Sequence, residues 1–133
     1  MIRVLIVDDH EGVRMALAAA LADEPDLNVC GGAADGRSAI EMTRTTAPDV
    51  VVMDVAMPRM DGFAATEAIL RERPDTRVLM LSCLSDGGSV ARALAAGASS
   101  YLSKGRSSSD VADAIRAVHR GERPDCCICD PAS

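Results

Sequence analysis

Five side chains in this sequence stand at or just beyond the ends of short apolar runs, and their types fit one reaction. Asp8 and Asp9 follow Ile2–Val7, Asp54 follows Val50–Met53, and Ser82 follows Val78–Leu81. Lys104 stands two residues beyond Leu102. Three carboxylates gathered in one place repel one another, and each is pushed towards its protonated form unless a cation joins them. Hard oxygen donors in that arrangement suit Mg²⁺, which binds through one or two carboxylates and keeps several waters. Asp54 is then a candidate nucleophile of the kind that becomes an aspartyl phosphate. Mg²⁺ and the Lys104 ammonium would neutralise charge on the phosphoryl group in transfer. The Ser82 hydroxyl would hydrogen-bond a phosphoryl oxygen on arrival.

Singly, each residue has an ordinary reading. Asp8-Asp9 reads as a loop acid and a helix cap, Asp54 as a strand end before Met57-Pro58, Ser82 as a loop serine and Lys104 as a solvated lysine. Their conjunction gains weight from the elements that would carry them. Ile2–Val7, Val50–Met53 and Val78–Leu81 are apolar on both faces, as strands of a helix-covered parallel sheet must be. Residues 27–32 and 99–102 read as weaker strands of the kind found at edges. Between them lie helical patterns. Val13, Ala16, Leu17, Ala20 and Leu21 form an apolar stripe, bounded by Pro25. Further helices are expected over 37–46, stopped before Pro48, over 63–72, ended by Pro74, and over 89–96, with Gly97 as a C-terminal cap. Val111, Ala114, Ile115 and Val118 mark a fifth, opened by the capping residues Ser107-Ser108-Ser109-Asp110 and closed by Gly121 and Pro124. Alternating β and α elements predict an α/β, doubly wound, five-stranded parallel sheet with helices on both faces and order 2-1-3-4-5. In such sheets ligands bind beyond the carboxyl ends of the strands, where the five side chains stand.

Composition bounds the function. The 133 residues are 48% hydrophobic and 26% charged, which fits one globular domain. A net charge of −6 argues against non-specific nucleic-acid binding by this domain. No apolar run is long enough to cross a membrane, and the N-terminus lacks a secretory cleavage pattern, so a cytoplasmic location is expected. With 2% aromatics the core must be aliphatic. Cys30 and Cys83 read as small buried hydrophobes. Cys126, Cys127 and Cys129 form a cramped run with no second ligand pair, so residues 122–133 read as a tail or the start of a linker rather than a zinc site.

The motifs themselves resemble a known family. Val7-Asp8-Asp9-His10 is similar to the acidic pair that opens a response-regulator receiver domain. Asp54-Val55-Ala56-Met57-Pro58-Arg59-Met60-Asp61-Gly62 resembles that family's phosphoacceptor segment, Asp-x-x-Met-Pro-x-x-Asp-Gly. Ser82 stands at its Ser/Thr switch position, and Ala96 to Lys104 is similar to its last strand and lysine. The resemblance covers residues 1–121 and is closest to the NarL/FixJ (LuxR-like) branch, on the evidence of His10 and of Ala117-Val118-His119-Arg120-Gly121-Glu122.

That resemblance implies further roles. A sensor histidine kinase would phosphorylate Asp54. Asp9, Asp54 and the backbone carbonyl of Ala56 would hold Mg²⁺, with Asp8 acting largely through a metal-bound water. Ser82 and Tyr101 would form the switch, the hydroxyl moving towards the phosphoryl group and the ring turning inward. Output would pass through the face of the fourth helix, fifth strand and fifth helix. It would lead to homodimerisation and to transcription control by a C-terminal helix-turn-helix domain outside this chain, which would be the part that binds DNA. Two departures stand out: Gly105 replaces a common proline after the lysine, and Cys83 replaces a smaller residue. A Mg²⁺-dependent aspartate phosphatase would need an acid two residues after the nucleophile, and position 56 is Ala. A phosphorylation-independent interaction module is the remaining rival.

Overall fold

A computed structural model describes residues 1–55, 57, 60–82, 87–103 and 107–121. Five strands form one parallel sheet: β1 (Ile2–Val7), β2 (Leu27–Ala33), β3 (Val50–Asp54), β4 (Arg77–Ser82) and β5 (Ser100–Ser103). Five helices alternate with them: α1 (Glu11–Ala22), α2 (Gly36–Thr46), α3 (Gly62–Glu72), α4 (Gly87–Ala96) and α5 (Ser108–His119). The spatial order is β2-β1-β3-β4-β5, as the alternation predicts. All five residues of β3 are buried, and β1 and β4 each expose only an arginine, Arg3 and Arg77. Those three strands are central because helices cover both their faces. The half-buried β2 takes one edge.

Helix boundaries follow local chemistry. Asp35 caps α2 by accepting from Ser38 N at 2.8 Å, and Asp61 caps α3 by accepting from Ala64 N at 2.9 Å. Ser107 Oγ accepts from Asp110 N at the start of α5. Gly97, at φ +106°, closes α4 in a Schellman arrangement: Ala98 N donates to Ala93 O, and Gly97 N to Leu94 O.

Two expectations need correction. In α1, Leu17 and Leu21 do face the core, but Val13 is 45% exposed and Ala16 is also exposed. The buried side is rotated towards Arg14, Leu17, Ala18 and Leu21, and Arg14 Nη1 donates to the Asp8 carbonyl at 2.7 Å. Five alanines in this helix give too little polarity contrast to fix its phase. Cys30 is half-buried rather than buried, with its thiol 3.4 Å from Val4 O. Cys83 lies outside the described residues, as does the 122–133 segment.

Arg116 fastens α5 to the loop before β2. Its Nε and Nη2 donate to both carboxylate oxygens of Asp26 at 2.8 and 2.9 Å, and its Nη1 to Asp113 at 3.0 Å; Glu24 also accepts from it. The hydrogen bonds from Arg116 hold the Asp26 carboxyl below its usual value. A carboxyl lowered by folding stabilises the fold above its unfolded pKa, and that contribution is lost as pH falls through the lowered value. Arg116→Gln should therefore lower the melting temperature by a few degrees at neutral pH, with the deficit shrinking in acid. A deficit independent of pH would refute this.

Thr66 in α3 is fully buried, and its hydroxyl finds no hydrogen-bond partner among the described residues. Valine keeps the shape without the unpaired polar atom. Thr66→Val is expected to raise unfolding free energy by about 1 kcal/mol, read as a higher urea midpoint at unchanged slope. A lower midpoint would show that the hydroxyl is satisfied.

Candidate functional site

The carboxyl edge of the sheet is assembled by strand register. Val7 of β1 pairs with Met53 of β3, so Asp8 and Asp54 follow side by side. Asp54 pairs with Leu81 of β4, so Ser82 stands one residue further along. Ser82 in turn pairs with Ser103 of β5. Asp8, Asp54 and Ser82 are all buried, each under 5% exposed.

Asp8 is tightly set. Its N–H donates to Ala33 O, its carbonyl accepts from Arg14, and its Oδ1 accepts from His10 N at 2.8 Å. One donor atom from each of Asp8, Asp9, His10 and Asp54 lies within 4.8 Å of the others. Asp9 Oδ1 is buried. His10 Nδ1 stands 3.1 Å from it, an ion-pair distance when the imidazole is protonated, but the oxygen has no hydrogen-bond partner among the described residues. Buried acceptors are nearly always satisfied. A carboxylate oxygen left so beside two more carboxylates fits a divalent cation, and the all-oxygen acid set suits Mg²⁺.

The loop after Asp54 returns close to its own start. Val55 N donates to Leu81 O, and Gly62 N donates to Val55 O at 2.9 Å. A Cβ on Gly62 would fall 2.3 Å from the Asp54 carbonyl oxygen, so only glycine fits. The Asp61-Gly62 pair thus has two local jobs, capping α3 and letting the chain pass the Asp54 backbone.

Residues 4–116 match the response regulator receiver domain family. The chain belongs to that family. LiaR of Bacillus subtilis (strain 168), a transcriptional regulatory protein, is 46% identical over 122 residues, which is 92% of this chain and 58% of LiaR. The receiver chain therefore spans little more than half of that relative. A LuxR-family two-component response regulator from Aurantimonas sp. SI85-9A1 superposes with TM-score 0.88 at 32% identity, covering 92% of this chain and 88% of that one. The signal receiver domain assigned to NarL from Mycobacterium tuberculosis gives 0.86 at 34% identity, covering 91% and 98%. The receiver fold and its two-component class thus agree with the expectation from the motifs.

Of the residues singled out in the sequence, this receiver brings Asp8, Asp9 and Asp54 together and sets Ser82 one strand away at the same edge. Tyr101 is 1% exposed on β5, opposite Met80. Lys104 and Ala56 lie outside the described residues. Two features escaped the sequence reading: His10 as a member of the cluster, and the close approach at Gly62. The Asp-Gly pair signalled the second; nothing but adjacency signalled the first. A polar concavity of about 630 Å³ opens at the opposite sheet edge beside Arg44, Asp49 and Glu72. Two of its charges pair with each other, Arg44 donating to both Glu72 oxygens at 2.8 and 3.0 Å. Among the described residues no helix is long and apolar enough to cross a membrane.

Proposed function

We propose that this receiver accepts a phosphoryl group on Asp54 from a sensor histidine kinase and uses it to switch an output surface. The observation that carries the reading is the gathering of Asp8, Asp9 and Asp54 within 4.8 Å at the carboxyl edge of the sheet, with a buried Asp9 oxygen left without a hydrogen bond. Asp9, Asp54 and the Ala56 carbonyl would hold Mg²⁺, and Asp8 would orient one of its waters. The ion, when bound, supplies positive charge to the transferring phosphoryl oxygens. Asp54 is the nucleophile: one carboxylate oxygen forms the new O–P bond while the bond to the donor breaks. Lys104 balances the added charge. Ser82 turns its hydroxyl to the phosphoryl group, and Tyr101 records that movement from β5.

Residues 1–121 would be the phosphoacceptor domain and 122–133 a tail or linker. The LuxR-like branch it resembles would place a DNA-binding helix-turn-helix domain after it and transcription control as the output, with phosphorylation favouring a homodimer. Lys104→Ala should keep Mg²⁺ binding, measured by calorimetry, and lose the phosphorylation-linked conformational change. Loss of Mg²⁺ binding would remove the role given to this lysine.

The test uses beryllofluoride as a phosphoryl mimic, followed by ¹⁹F NMR. With Mg²⁺ the protein should give a set of bound fluoride resonances, absent when the metal is chelated and absent in Asp54→Ala. No bound resonance under any condition would favour the phosphorylation-independent interaction module.

A further inference from the structure

His10 has no role in the proposed phosphotransfer, and its surroundings give it one. It is the N-cap residue of α1, yet its side chain makes no capping hydrogen bond. The backbone N–H instead ties Asp8, which leaves the imidazole uncommitted to the helix. Nδ1 lies 3.1 Å from Asp9 Oδ1 and 3.4 Å from Asp8 Oδ1. The side chain is 69% exposed, so the imidazole reaches the acids from the solvent side of the cluster. Neither approach is a hydrogen bond from the imidazole, and the Asp9 oxygen stays orphaned.

The four donor atoms lie within 4.8 Å of one another. Opposite ligands of an octahedral ion with bonds of about 2.1 Å are about 4.2 Å apart. A contraction of at most about 0.6 Å therefore brings the imidazole nitrogen and the Asp9 and Asp54 carboxylates around one ion, with Asp8 beside them to hold a bound water. We propose that His10 is a ligand at the acidic site, and that it shifts the site's preference from Mg²⁺ towards borderline divalent ions. The inference rests on the cation-binding reading above and adds a nitrogen donor to it. Carboxylate and water oxygens serve Mg²⁺ as well as they serve any ion of its size, whereas imidazole adds affinity for cobalt, nickel and zinc and very little for Mg²⁺. His10 would act as a specificity-determining residue for the metal, not as part of the phosphoryl chemistry.

The test compares Mg²⁺ and Co²⁺ binding to the full chain and to His10→Ala. Both are made in a background in which Cys126, Cys127 and Cys129 are serine, so that thiolates do not compete for cobalt. Mg²⁺ affinity comes from calorimetry and Co²⁺ affinity from its visible absorption. His10→Ala should weaken Co²⁺ about tenfold or more, in line with the loss of one nitrogen ligand, and change Mg²⁺ by less than about twofold. In the Co²⁺-loaded protein, a strongly shifted exchangeable imidazole N–H resonance should be present and should vanish in His10→Ala. Equal effects on both ions, or none on Co²⁺, overturn the assignment while leaving the cation-binding reading in place. A parent protein that binds neither ion overturns the cation-binding reading itself, and this inference with it.

Discussion

Asp54→Asn is expected to lose phosphorylation completely and, without metal, to be more stable than the parent. The first effect is chemical. An amide oxygen in the same place has neither the charge nor the basicity to attack phosphorus, so no slow residual reaction at position 54 is expected. The second is electrostatic. Asp54 is 3% exposed and shares a 4.8 Å cluster with Asp8 and Asp9. At that separation and an effective dielectric near 20, each carboxylate pair repels by about 3 kcal/mol as an upper bound. Removing one charge relieves two such pairs, and relaxation and water discount that figure, so a gain of about 1–3 kcal/mol is expected. Added Mg²⁺ should reverse the order, because a ligand that binds only the folded state stabilises it in proportion to its affinity. Urea titrations with and without Mg²⁺ check both halves. A metal-free Asp54→Asn protein less stable than the parent would mean that the three carboxylates do not feel one another.

Gly62→Ala is expected to carry the largest stability cost of any single methyl added near the site. The new Cβ would meet the Asp54 carbonyl oxygen at 2.3 Å and Val55 Cα at 3.0 Å. Both are backbone atoms of the strand end that presents the nucleophile, so they cannot swing aside as the Met80 methyl can. Either the start of α3 moves or Asp54 does. The cost should be about 3 kcal/mol, the upper range for overpacking. Displacing a nucleophile by about 1 Å can also slow its reaction on the order of a hundredfold. Phosphorylation measured well below the melting temperature separates the two effects. A Gly62→Ala protein with parental stability and parental rate would contradict the close approach of Gly62 to the Asp54 backbone.

Much of this was legible in the residues alone, for physical reasons. β1, β3 and β4 are buried on both faces, so their apolar runs stand out, and the groups that follow them must emerge at one edge. Gly97 and the capping run from Ser107 mark helix ends in the sequence because their roles depend on one residue's chemistry, whereas the Asp61 cap of α3 is a finding of the structure. Other features depend on partners distant in sequence. Arg116 finds Asp26 across 90 positions, and no local pattern encodes that pairing. The phase of α1 was blurred by its alanines, and Val13 turned to solvent while Arg14 reached the Asp8 carbonyl. In the sequence His10 marks only a branch of the family; the three-dimensional turn after β1 brings its ring beside the acids.

The most direct test of the whole is to locate the phosphoryl group. The chain is incubated with acetyl phosphate and Mg²⁺, reduced with borohydride, which converts an acyl phosphate on aspartate to homoserine, and mapped by peptide mass spectrometry. Conversion at position 54 alone, abolished by chelating the metal, is the outcome required by a cation held among Asp8, Asp9 and Asp54. Conversion at another acid, or at Asp54 with equal yield when no divalent ion is present, would contradict it.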